Sequence, residues 1–542
     1  MTRLKQVLLA ALSSLLRGRS FLQALFTFWI SPTVIKEHSV KTALPRRDIE
    51  DFLKEARQRL LGPFEDGQLL GLSRDLKVQF EERLQSHNES MLPSFNHLLP
   101  SGKEQGNYIA LDVGGSTLRV ALVALRGRLS AGNESEIVRM ESFKITPEIK
   151  SLVGTGFFDW MAKHISEVIG DDAQSEEPVP MGLAWSFPVE QTSLGGGLLL
   201  GMGKGFVATD SLLGQDLGMI IQQACAKQGL NVELAALVND GSATLLSQAY
   251  IHGQTRFGLI LGTGVNIAVH LPVAAFHRSK FGERSESWFQ EASHVIVNTE
   301  LGMFGGGILP LTRWDEQLKA AHPRPDFQPL EHLLAGYYLG EIVRFALLEA
   351  IETTGLLGGV VPPSLEKPYS LDTETLSRIE ADTSADFEIA LPYFASTHPS
   401  SVPPTATDLA AIRTLASCTS QRSAALLAAC VFGLWEMRHE TEAEYLGTQT
   451  PPPQAIDAKA PTPRKASFVA EARVEVKLPQ TTVGFNGSVI ERYPGYRDSC
   501  QMYIDSLTST SEHVGEIKLV PALESSILGA AVALACATEP QP

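Results

Sequence analysis

Residues 108–125, YIALDVGGSTLRVALVAL, set two apolar runs on either side of a short turn of glycines and hydroxyl-bearing residues. Such a pattern predicts two strands joined by a hairpin. Asp112 closes the first apolar run, where burying an unpaired carboxylate costs on the order of several kcal/mol. The turn at 114–117 offers backbone N–H groups and hydroxyls that suit phosphate oxygens. A carboxylate beside an anion-binding turn calls for a cation between them, which a Mg-nucleotide would supply.

The bulk composition limits the kind of protein. The chain has 542 residues, of which 44% are hydrophobic, enough for two or more domains with their own cores. Its 45 basic and 61 acidic residues give a net charge of −16, which argues against nucleic acid as a partner. The five cysteines form no CxxC pair, so we expect a reducing compartment. We also expect no structural zinc site.

The N-terminal segment, residues 1–38, is basic and apolar, with no acidic residue before Glu37. Its apolar runs at 7–16 and 21–30 are each shorter than the roughly 18–20 residues that span a bilayer. Residues 1–37 are therefore expected to attach to a membrane surface or to act as a mitochondrial-type address. This interpretation places the protein in the cytoplasm, attached to the mitochondrial surface. The alternatives are a secretory signal, which the free cysteines disfavour, and an ordinary first helix.

A single glycine turn is weak evidence, but the chain holds two similar ones. GLILGTGVNIAVH carries a turn at 262–264, and VGFNGSVIERYPGY carries one at 486–488, each after an apolar strand. Three such turns are what a nucleotide held between two domains requires. Between them, LAALVNDGSATLLS ends an apolar strand at Asn239 and Asp240, ahead of a helix. A carboxylate at a strand's carboxyl end makes Asp240 a general-base candidate.

These motifs together resemble the hexokinase family from about Asp48 to Ala537. The matching motifs are LDVGGSTLRV, WSFPVEQTS, GKGF, VNDGSATL, LGTGVN, NTELGMFG, GYYLGE and NGSVIERYPGY. The resemblance implies an α/β, two-lobed actin-like ATPase fold whose small and large domains close over a sugar. It also implies an enzyme, a kinase that uses ATP and Mg²⁺ to phosphorylate the 6-hydroxyl of a hexose.

The same resemblance divides the chain, in which strands alternate with amphipathic helices and no internal sequence repeat is evident. The expected divisions are a leader or anchor at 1–38, a helical part of the large domain at 39–105, the small domain at 106–239, the large domain at 240–438, a Pro-rich flexible insertion at 439–480, and the remainder of the large domain with the adenosine element at 481–542. The prediction of a flexible insertion rests on the proline-rich composition of TQTPPPQAIDAKAPTPRKAS.

The resemblance also assigns roles to single residues. Asp240 would be the catalytic base and Lys204 would steady the transferred charge. The sugar-binding residues would be Ser186, Asn239, Asn266, Glu300 and Glu331. The nucleotide-binding residues would be Asp112, Gly114, Gly115, Ser116, Arg119, Gly262, Thr263, Gly264, Gly487, Ser488 and Ser526. Asp112 would also reach Mg²⁺ through water. Taken singly, Ser186 could merely order a turn and Glu331 could be a solvated helix carboxylate.

Several departures from the family pattern bear on the sugar. Met202 and Gly203 precede Lys204 where glucose-phosphorylating members carry Trp-Thr, and ALESSILGAA replaces an Asp-Gly-Ser-Gly run. These features resemble the fungal N-acetylglucosamine kinases of the family, whose acetamido group needs more room than a hydroxyl. N-acetylglucosamine is thus the first expected substrate. The alternatives are a glucose or broad-specificity hexokinase and a non-catalytic sugar-sensing homologue.

Overall fold

The computed structural model describes residues 47–65, 67–86, 89–170, 176–203, 205–207, 212–449 and 463–538. Its strands are β1 Leu92–Pro93, β2 Gln105–Val113, β3 Thr117–Arg126, β4 Ser135–Lys144, β5 Val179–Trp185, β6 Val189–Gln191, β7 Gly197–Leu199, β8 Val232–Val238, β9 Thr255–Leu261, β10 Val265–Pro272, β11 His294–Asn298, β12 Gln480–Asn486 and β13 Glu516–Pro521.

The α-helices, numbered in chain order, are joined by several short 3₁₀ turns. They are α1 Ile49–Leu61, α2 Gln68–Ser86, α3 Pro147–Lys150, α4 Gly156–Ile169, α5 Leu217–Lys227, α6 Asp240–Ile251, α7 Glu286–Glu291, α8 Arg313–Ala321, α9 Pro329–Leu334, α10 Gly336–Thr354, α11 Thr373–Ala381, α12 Ala390–Thr397, α13 Ala406–Gln449, α14 Pro463–Glu475, α15 Ser488–Arg492, α16 Tyr496–Thr508 and α17 Ser525–Thr538.

Two sheets of the same topology organise these elements. The first has the order β4-β3-β2-β5-β8, and the second has β11-β10-β9-β12-β13 with β1 added at its edge. With β1 set aside, the first three strands of each sheet along the chain pair antiparallel, and each of the last two pairs in parallel with the strand before it in the sheet order. The α/β fold with two lobes is therefore confirmed, and its internal symmetry lies in topology rather than in sequence.

Helices α6 and α17 are packed closely because small residues line their contacts. A side chain at Gly529 of α17 would lie 2.1 Å from the Ala243 carbonyl oxygen of α6. One at Gly182 of β5 would lie 2.2 Å from the Ala530 carbonyl oxygen, and one at Gly258 of β9 would lie 2.2 Å from that of Gly241. These contacts, each closer than any side chain permits, hold the first turn of α6 between β9 and α17, and hold α17 against β5.

Part of the range 439–480, predicted as a flexible insertion, is helical. Residues 439–449 continue α13, and residues 463–475 form α14, whose Glu475 accepts from Arg256 Nη2 at 2.6 Å and contacts Arg438. Glu442 on α13 lies 2.7 Å from His294 Nε2. An unpaired buried charge would cost on the order of several kcal/mol of desolvation free energy. Because these buried charges are paired, α13 and α14 belong to the packed core. The prolines at 451–453 and the predicted leader lie outside the described residues. Within the described part of the chain, no helix has the length and apolarity needed to cross a membrane.

Candidate active site

The first glycine turn holds a buried carboxylate against an arginine. Asp112, 7% exposed at the end of β2, lies opposite Arg119 of β3 in the hairpin register. Arg119 Nε donates to Asp112 Oδ2 at 2.8 Å, and Nη2 donates to the same oxygen. Burial raises the pKa of Asp112, the nearby carboxylates of Asp240 and Glu524 raise it further, and Arg119 opposes them. The paired charge explains how a carboxylate is tolerated here.

The turn itself is built for access rather than for unusual backbone angles. Gly114 N–H donates to the Thr117 carbonyl at 3.0 Å, which closes the turn. Gly114 and Gly115 are not among the glycines with positive φ, so a left-handed backbone does not require them. Their contribution is an unshielded backbone, beside the exposed side chain of Ser116. Backbone amides exposed in this way suit phosphate oxygens.

The predicted catalytic base opens helix α6. Asn239 is the N-cap, and its side chain accepts from Ser242 N–H at 2.7 Å. Asp240 follows as the first helical residue, where a carboxylate is favoured by the helix dipole. Ser186, just after β5, donates its Oγ–H to Asp240, with Oγ 2.8 Å from Oδ1 and 3.0 Å from Oδ2. The side chain predicted to bind sugar thus contacts the proposed base directly, and Asn239 has a capping role.

Lys204, the second predicted catalytic residue, lies outside the described residues. Its described neighbours are two glycines with positive φ, Gly203 at 51° and Gly205 at 86°. Met202 and Phe206 are buried on either side, 1% and 8% exposed. Phe206 stacks edge-on against Phe187, with ring centroids 5.2 Å apart, so this segment packs beside the strand end that carries Ser186.

A chain of hydrogen bonds on the second sheet joins two predicted sugar-binding residues. Asn266 Nδ2 donates to Asn298 Oδ1 at 2.7 Å, and Asn298 Nδ2 donates to Glu300 Oε1 at 2.7 Å. Glu300 has a left-handed backbone, with φ 52°, and burial raises the pKa of its carboxyl. Asn298, at the end of β11, had no predicted role although it stands in the quoted NTELGMFG motif. It orients both neighbours.

Glu331, on the short helix α9, faces the same cluster. Burial and the neighbouring Glu300 carboxylate raise its pKa to about 7, against a hydrogen bond from the Val265 backbone. A side chain at Gly302 would lie 2.8 Å from Glu331 Oε2, and one at Gly264 would lie 3.3 Å from Oε1. The absence of a side chain at both positions leaves room for the Glu331 carboxylate. Glu331 is therefore a packed group and not a solvated helix carboxylate.

The second and third glycine turns touch each other. Gly262 N–H donates to the Gly264 carbonyl at 3.0 Å, and a side chain at Gly262 would lie 3.4 Å from the Ser488 nitrogen. Gly487, with φ 128°, packs so closely that a side chain there would lie 2.3 Å from the Leu261 oxygen. Thr263 and Ser488 are exposed. The third turn leads into helix α15 rather than into a strand, so its amides begin a helix.

The C-terminal part of the site is the start of α17. Ser525 accepts from Thr244 Oγ1 of α6 at 3.0 Å, and the predicted nucleotide residue Ser526 is half-buried in the first turn. Glu524, predicted with its neighbours to meet the adenosine, accepts from Arg119 Nη1 at 2.6 Å. Arg119 therefore bridges two carboxylates, Asp112 and Glu524.

The two halves of the site meet at α6. A side chain at Gly241 would lie 3.2 Å from the Ala268 nitrogen of β10. Asn266 is two residues away on the same strand and so projects to the same face of the sheet. The base at Asp240 therefore lies close to the strand that carries Asn266, and it is near enough to Asp112 to raise the pKa of that carboxyl.

Two sheets of one topology, each with a glycine turn between its first strands, and a helix-start carboxylate between them define the actin-like ATPase fold. Two family profiles, both described as Hexokinase, match residues 59–250 and 256–536, and the chain belongs to the hexokinase family. A hexokinase of Oryza sativa subsp. japonica is 32% identical over 344 residues, or 62% of this chain and 67% of that one.

Other hexokinases are also similar to this chain. A Candida albicans hexokinase is 34% identical over 54% of this chain and 60% of its own length. A Kluyveromyces lactis hexokinase is 28% identical over 83% of this chain and 84% of its own. The structure of Schistosoma mansoni hexokinase complexed with glucose superposes with a TM-score of 0.68 and 25% identity, covering 90% of this chain and all of that one.

Proposed function

We propose that this protein transfers the γ-phosphoryl group of ATP to the 6-hydroxyl of a hexose, with glucose as the first candidate. The observation that carries the proposal is the carboxylate of Asp240. Asp240 is the first residue of α6 and accepts from Ser186. We place it between the Asp112 turn and the Asn266–Asn298–Glu300 chain. In the reaction the hexose O6 attacks the γ-phosphorus, the bond to ADP breaks, and Asp240 accepts the proton.

The residues at the first turn fit a magnesium-bound nucleotide. Mg²⁺ is commonly held by one or two carboxylates together with the phosphates of its substrate. Asp112 supplies one buried carboxylate, and both bonds from Arg119 fall on its Oδ2, which leaves Oδ1 for a metal-bound water. The metal would neutralise phosphate charge when bound. The backbone amide of Gly115 and the exposed side chain of Ser116 would hold phosphate oxygens, while the Gly114 amide closes the turn.

Glucose is favoured because the curated relatives are named hexokinases and the Schistosoma mansoni enzyme is described in complex with glucose. Asn266, Glu300 and Glu331 would receive the sugar hydroxyls. Glu300 and Glu331 are acceptors when ionised and can donate when protonated, so the pair can match the mixed donors and acceptors of a polyol.

N-acetylglucosamine is the second candidate, and the observation that favours it is Gly203. Apart from its chain neighbours, no heavy atom of the described residues lies within 4 Å of the position that a Gly203 side chain would occupy. Threonine there would fill space that an acetamido group could use. We expect Gly203→Thr to shift the preference towards glucose by about ten- to two-hundred-fold. Because φ is 51° at this position, Gly203→Ala serves as the control for backbone strain.

The decisive experiment measures ADP release by the purified full-length protein with glucose and N-acetylglucosamine side by side. A higher kcat/KM for glucose supports the first candidate, and a higher value for N-acetylglucosamine supports the second. Binding of either sugar without turnover would reject the kinase proposal in favour of a sugar-sensing homologue. Attachment to the mitochondrial surface through residues 1–37 remains a further proposal that rests on their composition alone.

A further inference from the structure

Glu524 introduces a negative charge beside the phosphate-binding turn. Its Oε2 accepts from Arg119 Nη1 at 2.6 Å, and its side chain is 45% exposed. Arg119 is the residue that also holds Asp112 through Nε and Nη2. The Nη1 side of the guanidinium is thus engaged by a carboxylate of the same chain.

The position of Glu524 is fixed by the packing of helix α17. The Glu524 carbonyl accepts from Leu528 N–H at 3.0 Å, so the residue caps the helix, while Ser525 is bonded to Thr244 of α6. Gly529 is in backbone contact with Ala243 one turn further on. The carboxylate therefore cannot leave the neighbourhood of Arg119 without a rotation of its own side chain.

The backbone at Glu524 is strained for a residue with a side chain. Its φ is 47°, in the left-handed region that glycine adopts without cost. Non-glycine residues in this region cluster at functional sites, where the side chain contributes something that glycine cannot. Here the contribution is the carboxylate on Arg119.

We propose that Glu524 competes with the nucleotide phosphates for Arg119 and thereby weakens the binding of Mg-nucleotides. The proposal rests on the proposed function only in assigning the 114–116 turn to phosphate. Arg119 leaves Glu524 when a phosphate engages Nη1, and the carboxylate returns to the guanidinium as product leaves. Glu524 is in this sense a positioning residue that acts through Arg119.

The test is Glu524→Gln, which keeps the length and an acceptor oxygen but removes the charge. Binding of MgADP and MgATP is measured by calorimetry without sugar, and the KM for MgATP is measured in the ADP-release assay. We expect about three- to tenfold tighter nucleotide binding and a matching fall in KM for MgATP, while the KM for sugar stays unchanged. The gain in nucleotide affinity should be smaller at about 0.5 M salt, because exposed charges are screened there.

Two controls separate competition from other effects. Glu516→Gln makes the same charge change on strand β13, where Glu516 lies 3.4 Å from Lys518, and should leave nucleotide affinity unchanged. In an Arg119→Gln background, Glu524→Gln should produce no gain. Unchanged or weaker nucleotide binding in Glu524→Gln would overturn the proposal, and an equal gain in the Arg119→Gln background would refute competition for Arg119. Because MgADP binding needs no turnover, failure of the kinase assay would count against the proposed function alone.

Discussion

Replacing Glu331 by glutamine should stabilise the protein at alkaline pH while impairing sugar binding. The pKa of Glu331 is raised to about 7 from an ordinary value of 4.5, first by burial and then by Glu300. In the unfolded chain the same carboxyl ionises near its ordinary value. Between these two pH values the folded protein binds more protons than the unfolded one, so ionised Glu331 destabilises the fold as pH rises.

The size of the effect on stability follows from the pKa shift of Glu331. Each pKa unit corresponds to about 1.4 kcal/mol, so a rise from 4.5 to about 7 costs about 3 kcal/mol once the pH exceeds 7. Glutamine keeps the shape and an acceptor for the Val265 N–H without the charge. Glu331→Gln should therefore raise the thermal unfolding midpoint by several degrees at pH 8 and by little at pH 5, with the KM for sugar increased at least about tenfold.

Glu380 provides a matched control away from the sugar site. Burial raises its pKa to about 7 as well, and it accepts from Tyr493 and Ser420. Glu380→Gln should show the same pH-dependent gain in stability with no change in the KM for sugar. Differential scanning calorimetry of both variants and the wild type at pH 5 and pH 8 gives the comparison. A stability change in Glu331→Gln that is equal at the two pH values would refute the assignment.

Three further predictions concern the site and the leader. Asp240→Asn should lower kcat by about 10²–10⁴ with folding and sugar binding retained, and near-normal turnover would reject Asp240 as the base. Asn298→Ala should raise the KM for sugar about tenfold because Asn266 and Glu300 lose their common partner, whereas the KM for MgATP should not change. Deleting residues 1–37 should leave kinase activity intact and release the protein from membrane fractions, and an insoluble or inactive truncation would assign the segment to the folded core.

The parts of the site that the sequence predicted are those encoded by local patterns. An apolar run that ends in Asn239-Asp240 before helical spacing predicts a strand followed by a helix start, and the structure has β8 and α6 there. The N-cap role of Asn239 was not predicted. The β2–β3 hairpin follows from the same kind of pattern. Both depend on contacts between residues close in the chain, where propensity and capping decide the outcome.

The parts that the sequence did not predict depend on distant contacts. Glu524 reaches Arg119 across 405 positions, and only the packing of α17 on α6 brings them together. The environment of Glu331 depends on glycines at 264 and 302, which belong to other elements. The shared topology of the two sheets leaves no sequence repeat because a topology constrains only the order of strands and the apolar faces.

The site concentrates carboxyl groups that are costly to keep together. Burial raises the pKa of Asp112, Glu300 and Glu331, and in each case burial is the largest cause. A folded protein that retains such groups forfeits stability, because the ionised forms are favoured in the unfolded chain. The groups that would offset this cost are a cation near Asp112 and hydroxyl donors near the two glutamates. Under the proposed function a Mg-nucleotide and a polyol would supply these groups, and the stability lost from the fold would be recovered when those ligands bind.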